Sequence, residues 1–173
     1  MSDALAVLKK GMSTEIWGQR FYQEAVVRTQ SEDGKKVFQS LVDEEAKHLD
    51  ILRGQYAAVS GSNQWVSMEE ALKMAASVNP TDIFPEADSA KSLIPADASD
   101  EQSLQLAMDF ERRGYEMYHR AAAEATSAEA KAMWAWLAKG EDQHYAFLQE
   151  TREYLVNNGV WYFDEKELPF FEG

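Results

Sequence analysis

Glu44-Glu45-Ala46-Lys47-His48 and Glu141-Asp142-Gln143-His144 carry one pattern twice: a glutamate followed three residues later by a histidine. Thirty residues before each pair stands another glutamate, Glu15 in the first half and Glu111 in the second. The set Glu15, Glu45, His48 therefore returns as Glu111, Glu141, His144 at a constant shift of 96 positions. A single Glu-x-x-His is common on helix surfaces. Two copies, each with its own glutamate at the same gap, match a known arrangement. Two helices of a bundle give one glutamate each and two give Glu-x-x-His, all pointing inward at a carboxylate-bridged pair of metal ions.

The repeat extends beyond the six polar residues. In the first segment of each half the matched pairs include Leu8/Leu104, Met12/Met108, Gly18/Gly114, Tyr22/Tyr118 and Ala25/Ala121. In the second they include Phe38/Trp134, Leu41/Leu137 and Leu52/Leu148. Steps of three and four residues place each series on one helix face. Both halves thus share an inward face, with carboxylates where apolar residues would otherwise sit. A duplicated helical hairpin explains this most simply.

Four long helices are expected, at about 3–29, 33–60, 100–125 and 127–158. Ser2 is placed to cap the first. Ser31-Glu32-Asp33-Gly34 breaks the first from the second, and Gly61-Ser62-Asn63 stops the second. Ser99 with Gln102, and Thr126 with Glu129, form capping-box patterns at the next two starts. Asn158-Gly159 ends the last helix, and residues 159–173 form a tail. Between the second and third helices lies a crossover, 61–99, with a short helical candidate from Ser67 to Ser77 and with Pro80, Pro85 and Pro95. A helix of about 27 residues is ~40 Å long at 1.5 Å per residue, and this connection can run back along it. The first hairpin turns near residue 32 and the second near 127, so each glutamate sits about level with the Glu/His pair of its own hairpin. All six residues converge on one mid-bundle layer. The chain is read as a single all-α domain.

Composition narrows the function classes. The 173 residues are 45% apolar, enough for one core. The net charge of -13 opposes binding to nucleic acid and to anionic membranes. No apolar run approaches the ~20 residues of a membrane span. The start, Met1-Ser2-Asp3-Ala4-Leu5, has no basic stretch ahead of an apolar one, so a cytoplasmic location is expected. The absence of cysteine excludes disulfides, iron–sulfur clusters and a four-thiolate iron site within this sequence.

Charge balance favours two metals at the repeated site. Four buried carboxylates need compensation, two divalent cations supply it, and neutral imidazoles complete the coordination without adding charge. Carboxylate and imidazole together suit iron, with manganese as an alternative and zinc as an occupant acquired in purification. Tyr22 and Tyr118, on the same faces, are either hydrogen-bond donors to the ligand carboxylates or core packing. Gly18 and Gly114 mark either close helix approach or space kept for a small ligand. Glu24, Glu44, Glu116, Glu124, Asp142 and Glu150 fall off the repeated face and are expected in solvent. His119, without a counterpart in the repeat, is expected at the surface or an interface.

Glu15 with Phe21-Tyr22, the 44–48 pattern, Glu111 with Tyr118, and the 141–144 pattern resemble the rubrerythrin branch of the ferritin-like superfamily. Bacterioferritin shares this ligand set. The resemblance implies a ferritin-like four-helix bundle with a long crossover between helices 2 and 3, holding two iron ions and acting on hydrogen peroxide or oxygen. It also implies a homo-oligomer, with a dimer favoured; the net charge and the lack of a long apolar run already argue against a nucleic-acid or membrane partner. Rubrerythrins proper carry a further glutamate three residues after the third-helix glutamate, where this chain has Gly114. They also carry a rubredoxin domain, which needs cysteines, so the electron donor here is expected to be an external protein. The other readings are iron-binding, ferroxidase or storage function without peroxidase turnover, and a bundle that uses metal for stability alone. The aromatic tail, Trp161-Tyr162-Phe163 with Phe170-Phe171, is expected to cover the bundle end or a partner subunit.

Overall fold

The protein is described from a computed structural model over residues 2–85 and 92–164, with the side chains of Ser2 and Asp3 outside the description. Four long helices form the bundle: α1 (Ser2–Arg28), α2 (Glu32–Ser62), α5 (Asp100–Glu124) and α6 (Ala128–Asn158). Short helices α3 (Met68–Met74) and α4 (Pro80–Ile83) lie in the crossover, and a 3-10 turn, Ala75–Ser77, follows α3. No strand occurs among the described residues.

The helix ends follow local chemistry. Ser31 caps α2 by accepting from the Gly34 amide. Ser67 with Glu70 and Ser99 with Gln102 close reciprocal capping boxes at α3 and α5. Asn63 ends α2 in the left-handed conformation at φ 57°, and Gly159 ends α6 at φ 70°. The start of α6 departs from expectation: Ser127, not Thr126, accepts from the Ala130 amide. Ser127 provides the same hydroxyl one position later. At the start of the chain, α1 takes in Ser2 itself instead of beginning after it.

Two apolar clusters fill the bundle. One joins Leu8, Met12, Leu52 and Val59 to Tyr118, Met133, Trp134 and Leu137. The other joins Phe21, Tyr22, Phe38 and Leu41 to Ile94, Leu104, Met108 and Leu148. The residue numbers show the geometry. Each cluster takes one end of every long helix, which leaves a layer between them at residues 15, 45–48, 111 and 141–144.

The crossover spans both clusters. Its first part packs on α2: a Cβ at Gly54 would fall on the carbonyl oxygen of Ala71, so the α2 and α3 backbones touch. Gln55 donates to the Val66 carbonyl at 2.6 Å and accepts from the Val66 amide at 3.2 Å. Trp65, Met68, Ile83 and Phe84 cover the first cluster, and Leu93, Ile94 and Ala98 join the second. The return end is tied down by Glu24, which accepts from the Leu93 amide at 2.7 Å and the Ile94 amide at 3.3 Å. Glu24 also accepts from the Ser92 hydroxyl. The glutamate expected in solvent instead satisfies crossover amides. Arg28 adds a bond to the Pro95 carbonyl at 2.7 Å.

In the tail, Trp161 packs edge-on against Phe38 at 5.6 Å and donates to Asp100 at 2.8 Å. It covers the bundle end beside Gly34. Phe170 and Phe171 lie outside the described residues.

Candidate metal centre

The four long helices deliver one polar layer into an otherwise apolar bundle. Glu15 comes from α1, Glu45 and His48 from α2, Glu111 from α5, and Glu141 and His144 from α6. All six are buried, with at most 1% of their surface exposed. The spacing of three within each Glu/His pair puts both side chains on the inward face of one helix. Two four-residue groups of donor atoms result, each within 4.8 Å: Glu15, Glu45, His48 and Glu141, and then Glu45, Glu111, Glu141 and His144; a smaller group joins Glu45 to both histidines. Glu45 and Glu141 belong to both. Each imidazole presents Nδ1 to the centre. That of His48 lies 3.5 Å from both Glu15 and Glu141, and that of His144 lies 3.4 Å from both Glu45 and Glu111.

The donor set fits divalent cations. With every glutamate ionised, both oxygens of Glu45 and of Glu141, and one each of Glu15 and Glu111, have no hydrogen-bond donor among the described residues. Such burial costs several kcal/mol per ion unless cations or protons compensate. Protons are the compensation left to the bare chain. Burial, and then the neighbouring carboxylates of Glu15, Glu141 and Glu111, push Glu45 well above the ordinary carboxylate range. Burial, and then Glu111 and Glu15, do the same to Glu141. Burial also pushes Glu15 and Glu111 up, but hydrogen bonds and imidazoles outweigh it. Glu45, His48 and Tyr118 hold Glu15 below its ordinary value, and His144, Glu141 and Tyr22 hold Glu111 below its own. The two carboxyls shared between the groups are thus the ones whose negative charge is opposed most by burial and by their neighbours, and two cations would offset that charge.

A family model described as Rubrerythrin matches residues 6–152. The chain belongs to the rubrerythrin family. Rubrerythrins are ferritin-like bundles with a di-iron site, and this chain has both the bundle and Glu/His groups that could hold metal. A hypothetical protein from Pyrococcus furiosus shares the fold at a TM-score of 0.61, with 21% identity over 91% of this chain and 94% of that one. No curated protein matches. No helix among the described residues is long and apolar enough to cross a membrane.

Around the six residues of this rubrerythrin-family centre, the two hairpins support one another. The Tyr22 hydroxyl of α1 donates to Glu111 of α5, and the Tyr118 hydroxyl of α5 donates to Glu15 of α1. Both tyrosines are fully buried. Burial raises their hydroxyl pKa well above the ordinary value, and the carboxylates of Glu111 and Glu15 raise it further, so both remain donors. Gly140 has a role that the repeat does not reveal, because its counterpart 96 positions earlier is Glu44. A Cβ at Gly140 would stand 2.6 Å from Nε2 of His48, so the imidazole rests on bare backbone. Trp136 packs edge-on against the same ring at 5.2 Å. The available sequence signal was a glycine inside a long helix, immediately before a ligand candidate.

Gly18 and Gly114 lie against the carboxylates themselves. A Cβ at Gly18 would meet Glu45 at 3.2 Å, and one at Gly114 would meet Glu141 at 3.1 Å. Of the glutamates expected in solvent, Glu44 is buried, 5% exposed, and pairs with Lys47 at 2.5 Å. It neighbours Glu45 and is drawn into the same layer, with its charge met at the rim. Glu116, Glu124, Asp142 and Glu150 are exposed, as is His119, which packs against Tyr115 at 5.5 Å.

Proposed function

We propose that this rubrerythrin-family protein holds two iron ions through Glu15, Glu45, His48, Glu111, Glu141 and His144, and acts as an oxidoreductase on hydrogen peroxide or oxygen. The observation that carries the reading is the sharing of Glu45 and Glu141 by two buried four-residue groups. Manganese suits the same donors, and zinc enters such sites during purification. When bound, two ferrous ions would supply the two electrons that, with two protons, convert one hydrogen peroxide into two waters.

The chain's own residues prepare for that chemistry. Glu45 and Glu141 link the two halves of the site. Tyr22 and Tyr118 fix the orientation of Glu111 and Glu15 without surrendering their protons. The apolar clusters on either side keep bulk water from the layer, which strengthens every charge interaction inside it. With no cysteine in the sequence, turnover draws electrons from an external donor protein. The working form in this reading is a cytoplasmic homodimer.

Gly114 favours a second reading, a ferroxidase-type or iron-handling protein without peroxidase turnover, because the further glutamate of rubrerythrins proper is missing there. Metal analysis of anaerobically purified protein, followed by stopped-flow mixing with peroxide, separates the readings. Peroxidase function requires oxidation within the mixing experiment and repeated turnover once a reductant is added. A single oxidation without turnover supports iron handling. Bound metal that no oxidant touches leaves a structural role.

A further inference from the structure

The two sides of the centre are closed differently. On the α2/α6 side the imidazoles of His48 and His144 stack at 5.2 Å, and Trp136 and Gly140 back His48. On the α1/α5 side there are glycines instead. Gly18 is covered, since a Cβ there would also meet the ring of Phe110 at 3.0 Å. At Gly114, itself buried, the three atoms nearest to such a Cβ all belong to Glu141, at 3.1–3.3 Å. Gly114 also forms part of the wall of a surface cleft of about 460 Å³, lined by Lys10, Ser13, Trp17, Phe110, Arg113 and Met117 among others. The repeat itself is broken here: Phe110 corresponds to Thr14, so a bulky ring shields one glycine and a small hydroxyl residue flanks the other.

We propose that the α1/α5 cleft is the route by which small oxidants reach the centre, with the bare backbone of Gly114 as its threshold. This rests on the di-iron reading above. The ligand class is a neutral or anionic molecule of two or three heavy atoms, such as a peroxide. The cleft walls from Trp17, Phe110 and Met117 are largely apolar, while Lys10 and Arg113 give the mouth positive charge on a chain of net charge -13. That mouth repels cations and draws anions inward. The side-chain-free position at 114 brings such a molecule against Glu141, one of the two shared carboxylates.

The chain has no cysteine, so Ser13→Cys places a single thiol in the cleft wall. Alkylation with a bulky maleimide fills the cleft, whereas a methylthio label leaves it open. Azide, a small anion that colours ferric centres, serves as probe with the iron-loaded, oxidised protein. A blocked route slows association and dissociation together, so we expect both rates to fall about tenfold with the bulky label while the dissociation constant stays the same. Iron content, measured in parallel, should not change. Met117→Trp fills the same cleft from α5 and should give the same result if the label disturbs folding. Azide rates that ignore both obstructions overturn the proposal. Lys10→Glu with Arg113→Glu should slow azide severalfold and leave neutral hydrogen peroxide nearly unaffected, and equal effects on both would remove the charge argument. A protein that takes up no iron refutes the di-iron reading as well, which the iron measurement shows before any azide is added.

Discussion

A hydroxyl and a missing methyl do much of the positioning in this centre. Tyr22 and Tyr118 each give a hydrogen bond to a buried carboxylate across the hairpin boundary. Hydrogen bonds to charged groups contribute about 1.5–3 kcal/mol, and partners of metal ligands typically alter metal affinity 10–100-fold. Tyr22→Phe and Tyr118→Phe should therefore each weaken iron binding by about tenfold or more, and by similar amounts, because they are mirror positions. Competitive chelator titration measures this. Gly140 supplies the absence. Ala at an open helical glycine normally stabilises by ~1 kcal/mol, and Gly61→Ala, where nothing lies within 4 Å, should do so. Gly140→Ala should instead lower metal affinity, since its Cβ would displace the His48 ring. Paired denaturation and metal titration of the two variants should show opposite behaviour.

At the scale of elements, the duplicated hairpin was legible because the polar layer repeats with helical spacing. Glu45 and Glu141 could be matched by position alone, and the equal distances from each turn put them level. The crossover was less legible. Its length declares a return path, and the helical candidate from Ser67 marks α3, but the sequence pattern gives no sign of α4. Asn79-Pro80 carries that start, with Asn79 accepting from the Thr81 amide and Pro80 at the first turn. What the crossover touches could not be read from spacing. Glu24 and Glu44 look like surface glutamates in sequence, yet one satisfies the amides of Leu93 and Ile94 and the other is buried beside Glu45. Gly54 is a further contact of this kind, invisible until α3 is laid across α2. Gly54→Ala would push the α3 backbone away, and overpacking of this sort costs about 1–3 kcal/mol. The expected result is a lower denaturation midpoint with iron stoichiometry unchanged, because α3 packs at the α2 end away from the polar layer.

Across the whole molecule, stability and metal binding are linked through four carboxyls. Glu45 and Glu141 have folded pKa values above those of the unfolded chain. Their contribution is present below the ordinary carboxylate range and is lost as pH rises through the raised values. Glu15 and Glu111 have lowered values, so their contribution is lost only as pH falls through them. The metal-free protein should therefore be most stable on the acid side of neutrality and melt at a lower temperature at pH ~8 than at pH ~5.5. Iron should reverse this trend, since ligands bind as the deprotonated forms and the bound state is stabilised by RT ln(1 + [L]/Kd). Scanning calorimetry with and without iron across that range reads both slopes.

In the proposed function, two iron ions sit in the layer between the apolar clusters. Anomalous diffraction at the iron edge from an anaerobically iron-loaded crystal tests it most directly. Two peaks are expected, one bounded by Glu15 and His48 and one by Glu111 and His144, with Glu45 and Glu141 reaching both. A single peak, or iron found only on the protein surface while this layer stays empty, would contradict it.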